Sequence, residues 1–537
     1  MSGAAEWSQG YVTDTLYTEN HYRELSPAWI NYAALLNGCL PRPTDRDFSY
    51  IELGCGHGRT LTHLAAAYPK GRFYGVDFNP AHIDSAIRYA AALGVGNVQF
   101  LERGFHDLAG QGGPGQGGTG PGKMPAPDLP EFDFIALHGV YTWISAEARQ
   151  AVQRLIFEKL KPGGLVYNSY NCLPGWAAEA PVRRLFVEFA AVAPGGSSER
   201  MKKALDHAGE LQGLKAGYLA RYPAVGEAIA QHLKRPANYM AQEYLNADWN
   251  PFYSADVSDE MAAAKLDFAG AATLMENHLD LMMNDEASAF VARQPTARLR
   301  QLMQDFLYNQ RFRRDVFVRG HARLGPAEIQ ANLRGQSFIA LKPMSGNKLT
   351  LPRGEVTFDA EILPSLNEIF ATGCVTLEEV AQAIAKKGGK VGGLERVVNI
   401  LAALGTVVPA AHAYRPAKTY APPARLRLKH PANQQLLQRA MNRADSSRPM
   451  ILPAYGNIAV ISIPQAFILH EMQGGGTLPD LVTRSIAAIE RRGYKLQKDN
   501  QVLSESEAKQ VHMTELVTSF IDKDLPLLLR GGAVDVA

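Results

Sequence analysis

A glycine-rich turn between a β-strand pattern and a helix pattern constrains this chain more than any other feature. The segment Ile51-Glu-Leu-Gly-Cys-Gly-His-Gly-Arg-Thr60 ends an apolar run at Leu53 and places glycines at 54, 56 and 58 before a helical pattern. Glycine lets the backbone turn sharply and approach a ligand without a clash from Cβ. The segment therefore predicts a binding site at the carboxyl end of the first strand of an α/β sheet.

The residues that follow alternate short β-rich runs with stretches of helix length. Strands are predicted at 50–53, 72–77, 97–101, 132–137 and 164–170, and helices near 58–68, 80–93 and 145–160. This alternation predicts right-handed βαβ units and a parallel sheet.

Length and composition limit the class of protein. A chain of 537 residues is too long for one core, and about three or four domains are expected at ~150 residues each. The net charge of +2 gives no field that would attract nucleic acid or a membrane. Four scattered cysteines (Cys39, Cys55, Cys172 and Cys374) predict no disulfide framework and no metal site. With no signal-peptide pattern and no long apolar run, we expect a cytoplasmic protein without membrane insertion.

Six regions are predicted along the chain. They are an N-terminal cap at 1–47, a ligand-binding core at 48–175, a helical insertion at 176–255, a completion of the core at 256–325, a middle region at 340–415 and a C-terminal domain at 416–537. Strand patterns after residue 259 and at 312–320 are expected to complete the sheet. In the middle region Thr376 and Glu379 match a capping box, and the order of elements resembles a winged helix. The glycine-rich stretch 110–122 predicts a flexible inserted loop.

The glycine spacing and two acidic residues indicate the ligand. A dinucleotide fingerprint is G-x-G-x-x-G, whereas this loop reads G-x-G-x-G with Arg59 in the place of the third glycine. Glu52 precedes the loop, and Asp77 ends the next predicted strand, where a carboxylate can accept hydrogen bonds from ribose hydroxyls. The loop, Glu52 and Asp77 together resemble the class I S-adenosylmethionine-dependent methyltransferases. That resemblance implies a Rossmann-like sheet and S-adenosylmethionine as the cofactor.

Other landmarks of this family follow in order after the third, fourth and fifth predicted strands. The segment 102–107 stands where the family surrounds the adenine, and Lys-Pro-Gly-Gly at 161–164 precedes the fifth strand. The cofactor-binding residues that the resemblance implies are Glu52, Gly54, Cys55, Gly56, Gly58, Asp77, Phe78, Asn79, Gly104, Phe105, His138, Gly139, Val140, Tyr17 and Tyr22. For Tyr17 and Tyr22, packing at the surface is the alternative, and His57 is expected to cap the helix.

The segment after the fourth strand contains the candidates for the methyl channel. Amine methyltransferases often carry (Asp/Asn)-Pro-Pro-(Tyr/Phe) there, and His138-Gly-Val-Tyr141 keeps only the aromatic residue. We therefore predict Tyr141 as an aromatic wall, with Trp143 as a second candidate. Tyr170 and Asn171 are candidates to contact the incoming acceptor. Packing alone is the alternative for each of the four. If the acceptor is lysine, water or Tyr141 is expected to take its proton.

Three further segments narrow the resemblance. Residues 17–29, 167–176 and 306–315 are similar to bacterial methyltransferases with a methyltransferase regulatory domain, a group that includes rickettsial protein-lysine methyltransferases acting on outer-membrane proteins. This implies a protein substrate and a homodimer.

Three functions stay open: a protein-lysine methyltransferase, a small-molecule methyltransferase, and a non-enzymatic cofactor sensor that binds DNA. Charge disfavours the third, because residues 341–415 hold eight Lys/Arg and seven Asp/Glu, a net of +1, so we expect no nucleic-acid partner.

Overall fold

A seven-stranded sheet forms the centre of the computed structural model, which describes residues 10–14, 20–108, 129–320, 323–442, 447–499 and 501–537. The first part of the chain supplies α1 (Pro27–Leu36), β1 (Phe48–Leu53), α2 (Arg59–Ala67), β2 (Gly71–Asp77), α3 (Pro80–Leu93), β3 (Val98–Glu102), α4 (Phe105–Leu108), β4 (Phe132–Leu137), α5 (Ala146–Lys159) and β5 (Leu160–Asn171). All neighbouring pairs among β1 to β5 are parallel, so the predicted βαβ sheet is confirmed.

Helices separate β5 from the two strands that complete the sheet. They are α6 (Ala180–Val192), α7 (Ser197–Gly213), α8 (Gly217–Arg221), α9 (Pro223–His232) and α10 (Ala237–Tyr244). The chain then forms α11 (Ser254–Ala262), β6 (Leu266–Ala271), α12 (Leu279–Met282), α13 (Asp285–Ala292), α14 (Ala297–Tyr308) and β7 (Phe312–Arg319). Strand β7 is antiparallel to both β5 and β6, which gives the order β3-β2-β1-β4-β5-β7-β6. The strands expected after residue 259 therefore do join this sheet.

The middle region combines four helices with short strands. Its elements are α15 (Pro326–Gly335), β8 (Ser337–Ala340), β9 (Lys348–Leu351), β10 (Gly354–Thr357), α16 (Ile362–Ala371), β11 (Val375–Thr376), α17 (Leu377–Lys386), α18 (Leu394–Ala403) and β12 (Val407–Pro409). The predicted capping box opens α17, because Thr376 Oγ1 accepts the Glu379 N–H at 3.1 Å and the Glu379 carboxylate accepts the Thr376 N–H at 2.7 Å. The winged-helix assignment stays a prediction.

The C-terminal region is mainly helical, with a hairpin near its start. Its elements are β13 (Leu426–Leu428), α19 (Pro431–Met441), β14 (Pro449–Leu452), β15 (Asn457–Val460), α20 (Ile463–Met472), α21 (Leu478–Arg491), β16 (Gln497–Lys498), β17 (Gln501–Val502), α22 (Ser506–Ser519), α23 (Leu525–Arg530) and β18 (Val534–Val536). Among the helices of the described residues, none has the length and the apolar character that a membrane span needs.

Alternate residues of the central strands enter two different hydrophobic clusters. Tyr50 and Phe134 belong to a cluster that continues into the middle and C-terminal regions. Ile51 and Ile135 belong to a second cluster on the opposite face, where α5 packs. Because both faces are covered, β1 and β4 are buried along their whole length, as expected for a parallel sheet.

A buried ionic network fixes β7 against α14. Arg313 lies between Asp305, at 2.5 Å from its Nη1, and Asp315, at 2.9 Å from its Nε. The Tyr170 hydroxyl donates to Asp315 at 2.6 Å, so the network also reaches β5. All four side chains are almost completely buried. The network accounts for two polar residues of the segment 306–315, Arg313 and Asp315.

We expect Arg313→Ala to lower the free energy of unfolding by about 3–5 kcal/mol, because two carboxylates stay buried without their cation. Chemical denaturation measures this loss. Arg298→Ala is the matched control, since Arg298 pairs with Asp259 near the surface, where such pairs contribute about 0–1 kcal/mol. Equal losses in the two variants would contradict a stabilising role for the network.

Candidate functional site

A cavity of about 410 Å³ opens at the carboxyl ends of β1, β2, β4 and β5. This volume lies within the range of about 300–1,000 Å³ that is usual for small-molecule sites. Most of the residues predicted from the sequence line it: Tyr22, Glu52, Gly54, Cys55, Gly56, Asp77, Phe78, Asn79, Gly104, Phe105, His138, Gly139, Val140, Trp143 and Asn171. The sheet thus brings together loops that are far apart in sequence.

The three glycines after β1 have different physical roles. All have positive φ, between 52° and 77°. A Cβ at Gly54 would lie 2.4 Å from Val140, and a Cβ at Gly58 would lie 2.5 Å from Phe100. At Gly56 it would meet no atom within 4 Å, so this glycine faces the open cavity. Gly58 shapes the turn without lining the cavity.

The start of α2 differs from the prediction. Gly58 is the N-cap of α2, in the left-handed conformation, and it offers no side chain to the helix. The prediction that His57 caps this helix is therefore wrong. The His57 ring instead lies 4.6 Å from the ring of His82 and lines the cavity.

Asp77 joins the glycine loop to the loop after β2. Its Oδ2 accepts the Gly56 N–H and its Oδ1 accepts the Asn79 N–H, both at 2.9 Å. The His82 ring lies 3.3 Å from Oδ1. A carboxylate has about four acceptor positions, so Asp77 can still accept hydrogen bonds from a ligand. This position suits the predicted contact with ribose hydroxyls.

Glu52 is a buried carboxylate that faces the cavity. Within the described residues, its Oε2 has no hydrogen-bond partner. Burial, together with the negative charge of Asp77, raises the pKa of Glu52 to about 8. A buried polar atom without a partner is costly. The arrangement therefore favours a ligand that brings a positive or hydrogen-donating group to this point.

These features fit S-adenosylmethionine, the cofactor expected from the sequence. Phe78 and Phe105 offer apolar walls for a base, and Asp77 offers acceptors for ribose hydroxyls. Glu52 offers a carboxylate for the ammonium group, and Gly56 leaves room for close approach to the backbone. The described ranges contain no cluster of His, Cys, Asp and Glu side chains that could hold a metal ion.

Sequence reasoning missed two walls of the cavity. One is the segment 10–14, which contributes Tyr11, and the other is α10 with the residues just after it. The Val12 N–H donates to Asn246 Oδ1 at 2.9 Å, and Gln242 Nε2 donates to the Val12 carbonyl at 3.1 Å. The Tyr11 ring lies 5.2 Å from Phe78. More than 200 residues separate Val12 from Gln242 and Asn246, so no local motif in the sequence predicts that these two segments meet.

Aromatic rings line one end of the cavity. The Tyr22 ring lies 3.8 Å from the ring of His138, and Phe312 lies 6.2 Å beyond it. Burial, together with the positive charge of Arg314, lowers the pKa of His138 to about 3. His138 is therefore neutral near pH 7. A histidine with so low a pKa is a poor general base. The ring lines the cavity, and its Nδ1 lies 2.9 Å from the Tyr167 hydroxyl.

Two predicted channel residues do not reach the cavity. Tyr141 is completely buried, and its hydroxyl donates to Glu260 and accepts from Gln153 Nε2 at 3.1 Å. In the short 3₁₀ turn Tyr141–Trp143 it packs inward while Trp143 lines the cavity. Tyr170 points to the face of β5 opposite to Asn171, where it meets Asp315. The prediction of Tyr141 as a channel wall and of Tyr170 as an acceptor contact does not agree with these positions.

Asn171, in contrast to Tyr141 and Tyr170, does reach the cavity. The Asn171 side chain lines the cavity, and its buried Nδ2 has no partner within the described part of the chain. Its backbone N–H donates to Thr142 Oγ1 at 2.8 Å. Tyr17 and the glycine-rich stretch 110–122 lie outside the described residues.

Two family models match the chain. The "Methyltransferase domain" matches residues 51–166, which run from β1 into β5. The "Predicted methyltransferase regulatory domain" matches residues 236–319, which run from α10 to the end of β7. The second match therefore begins at the helix that forms a wall of the cavity.

Relatives extend this likeness to nearly the whole chain. The uncharacterized protein sll1526 of Synechocystis sp. is 31% identical over 535 residues, which cover 98% of this chain and 99% of that protein. The uncharacterized protein RP789 of Rickettsia prowazekii is 25% identical over 310 residues, 55% of this chain and 50% of that protein. The structure of PKMT2 from Rickettsia typhi in complex with AdoHcy has a TM-score of 0.72 at 16% identity, and covers 96% of this chain and 99% of that chain.

Asp77→Ala is expected to weaken the binding of S-adenosylhomocysteine, the demethylated cofactor, by about 1.5–3 kcal/mol, because charge-assisted hydrogen bonds are lost. Isothermal titration calorimetry measures the Kd. Asp84→Ala is the matched control, since Asp84 is exposed on α3 and pairs with Arg88. An unchanged Kd for Asp77→Ala would show that the ribose assignment is wrong.

The pKa of Glu52 predicts a pH dependence of binding. In the empty cavity Glu52 is mostly protonated below pH 8, whereas an ammonium group favours the ionised carboxylate, so binding releases a proton. We expect the Kd of S-adenosylhomocysteine to fall as the pH rises from about 6 to 8, and Glu52→Gln to abolish this change. Calorimetry in buffers of different ionisation enthalpy counts the proton. The same pH profile in both proteins would exclude Glu52 as its source.

Proposed function

The chain belongs to the S-adenosylmethionine-dependent methyltransferases that carry a methyltransferase regulatory domain, and from that premise we propose that it methylates a lysine side chain of a protein. The observation that carries the proposal is the chemistry of the cavity lining. It includes the carboxylate of Glu243, several aromatic rings and the amide of Asn171. This combination suits an acceptor that arrives as an ammonium group.

Glu243 lies close to two tyrosine rings. Burial raises the pKa of Tyr22 and of Tyr239, and the negative charge of Glu243 raises both further. Trp143 and Phe312 also line the cavity. Aromatic faces attract a cation, and a nearby carboxylate strengthens the attraction. A lysine side chain also brings an apolar stem that such rings can cover.

The cofactor supplies an electrophilic methyl group on a positively charged sulfur, and the acceptor nitrogen must displace that sulfur in line. A lysine amine has a pKa near 10.4 in water and attacks only without its proton. Burial lowers the pKa of an entering amine. Glu243 lines the cavity, and we propose that it holds the ammonium and receives its proton, a role that Tyr141 cannot take because it does not reach the cavity.

Asn171 completes the acceptor end. Among the described residues, its buried Nδ2 has no hydrogen-bond partner. Asn171 is the last residue of β5 and lines the cavity. An acceptor that hydrogen-bonds to this amide is held in a fixed orientation, and fixed orientation is a large part of catalysis for a displacement in line.

The size of the chain supports a protein acceptor. Methyl transfer needs the sheet and its loops, whereas α10 and the segment 10–14 add further walls to the cavity. The resemblance to rickettsial protein-lysine methyltransferases supports the same substrate class, and it supports a cytoplasmic homodimer, which sedimentation can test. A small-molecule acceptor and a cofactor sensor without catalysis are the alternatives that the next experiment separates.

The acceptor is identified by transfer of a labelled methyl group. The purified protein is incubated with S-adenosylmethionine labelled on its methyl carbon and with fractions of a bacterial lysate. We expect label in protein, and methylated lysine after hydrolysis. Label confined to small molecules, label on another amino acid, or no transfer at all would each contradict the proposal.

Glu243→Gln is expected to lower kcat/KM for the labelled protein acceptor by about 10–100-fold, because a charge-assisted hydrogen bond is worth about 1.5–3 kcal/mol. The Kd of S-adenosylhomocysteine should stay the same. Glu227→Gln, the same change on an exposed position of α9, should leave both values at the level of the unaltered protein. A Glu243→Gln protein with full activity would remove Glu243 from the acceptor site.

A further inference from the structure

A strap of the N-terminal region, residues 20–23, covers part of the cofactor cavity. Asn20 and Tyr22 line the cavity. The Tyr22 N–H donates to Thr60 Oγ1 at 3.2 Å, and the Tyr22 ring lies 3.8 Å from the ring of His138. The strap thus contacts both the first turn of α2 and the loop after β4. It has no secondary structure of its own except at Arg23, where a short 3₁₀ turn begins.

One side chain from the C-terminal region holds the strap on both sides of Tyr22. Asn457, at the start of β15, is 1% exposed. Its Oδ1 lies 2.5 Å from Nε2 of His21, and its Nδ2 donates to the Arg23 carbonyl at 3.1 Å. The residues immediately before and after Tyr22 are therefore bound to the same amide, which restricts the backbone that carries the Tyr22 ring.

From Asn457 and His21 a chain of hydrogen bonds continues to Tyr89, and each donor in it follows from the one before. Because Asn457 Nδ2 donates to Arg23, its Oδ1 must accept, and His21 Nε2 carries the hydrogen. His21 Nδ1 then accepts from His63 Nδ1 at 3.2 Å, and His63 Nε2 accepts from the Tyr89 hydroxyl at 2.8 Å. Burial lowers the pKa of His21 to about 4 and lowers that of His63 well below its usual value. Both rings are neutral, as this chain requires.

The far end of this chain returns to the cavity. The guanidinium of Arg59, a cavity residue, lies 3.8 Å from the centre of the Tyr89 ring. On the same ring, Arg439 of α19 lies at 5.1 Å. The C-terminal region therefore contacts the strap directly, and it shares the Tyr89 ring with Arg59.

We propose that Asn457 is a positioning residue for the cofactor site. It holds the strap closed and thereby keeps Tyr22 over the cavity, so that the C-terminal region controls how tightly the cofactor is retained. The proposal rests on the cofactor and not on the nature of the acceptor.

The hairpin β14–β15 has a second anchor that does not involve Asn457. Ser26 Oγ donates to the Gly456 carbonyl at 2.9 Å and lies 2.9 Å from the Tyr68 hydroxyl. A Cβ at Gly456 would lie 2.2 Å from that hydroxyl, so the fit is close. We therefore expect the hairpin to stay docked when the side chain of Asn457 is truncated.

The test is the affinity for S-adenosylhomocysteine in two buried-asparagine variants. Asn457→Ala should raise the Kd about tenfold, since two hydrogen bonds no longer hold the strap. Asn433→Ala is the matched control: Asn433 is also buried and makes two amide hydrogen bonds, at 2.9 and 2.7 Å, but both go to Ile451 within the C-terminal region. It should lower the melting temperature and leave the Kd unchanged.

A double-mutant cycle separates positioning from general destabilisation. If Asn457 acts through Tyr22, the effect of Asn457→Ala on the Kd should largely disappear in a Tyr22→Leu background. His21→Ala, which cuts the same contact from the side of the strap, should raise the Kd as Asn457→Ala does and covers the case in which that variant does not fold. Additive effects of Asn457→Ala and Tyr22→Leu, or equal rises in Kd for Asn457→Ala and Asn433→Ala, would overturn the proposal. Failure of the unaltered protein to bind the ligand would instead refute the cofactor assignment.

Discussion

Two buried carboxylates at the ends of neighbouring strands set the chemistry of this protein. Glu52, one residue before the end of β1, has an oxygen that no described residue satisfies, and Asp77 holds the glycine loop by accepting the Gly56 N–H. Such a pair is unfavourable in an empty cavity, because burial and mutual repulsion both oppose ionisation of Glu52. On the proposed assignment, a nucleoside with an ammonium group would satisfy both carboxylates.

The rest of the chain controls access to this site. The sheet alone leaves the cavity open at the carboxyl ends of its strands. Helix α10 and the segment 10–14 close one side, and the strap with Tyr22 closes another under the hold of Asn457. Each closing element comes from outside the sheet core. Acceptor binding and cofactor retention can thus be tuned without altering the residues that hold the nucleoside.

The sequence was informative where the chemistry is local. The glycine loop, Glu52 and Asp77 could be predicted because strand ends, glycine spacing and acidic residues act within about 25 residues of one another. Glu243 and Asn457 could not, because each lies more than 160 residues beyond Asp77 in the sequence and belongs to no motif. Tyr141 was assigned to the channel because it follows β4, but the 3₁₀ turn directs Trp143 to the cavity and leaves Tyr141 bonded to Glu260.

A crystal structure of the complex with S-adenosylhomocysteine tests the central claim most directly. The account predicts the ribose hydroxyls within hydrogen-bonding distance of Asp77, the amino group at Glu52, and the sulfur at the end of the cavity that Trp143 and Asn171 line. A ligand bound with its ribose away from Asp77, or located outside this cavity, would contradict it.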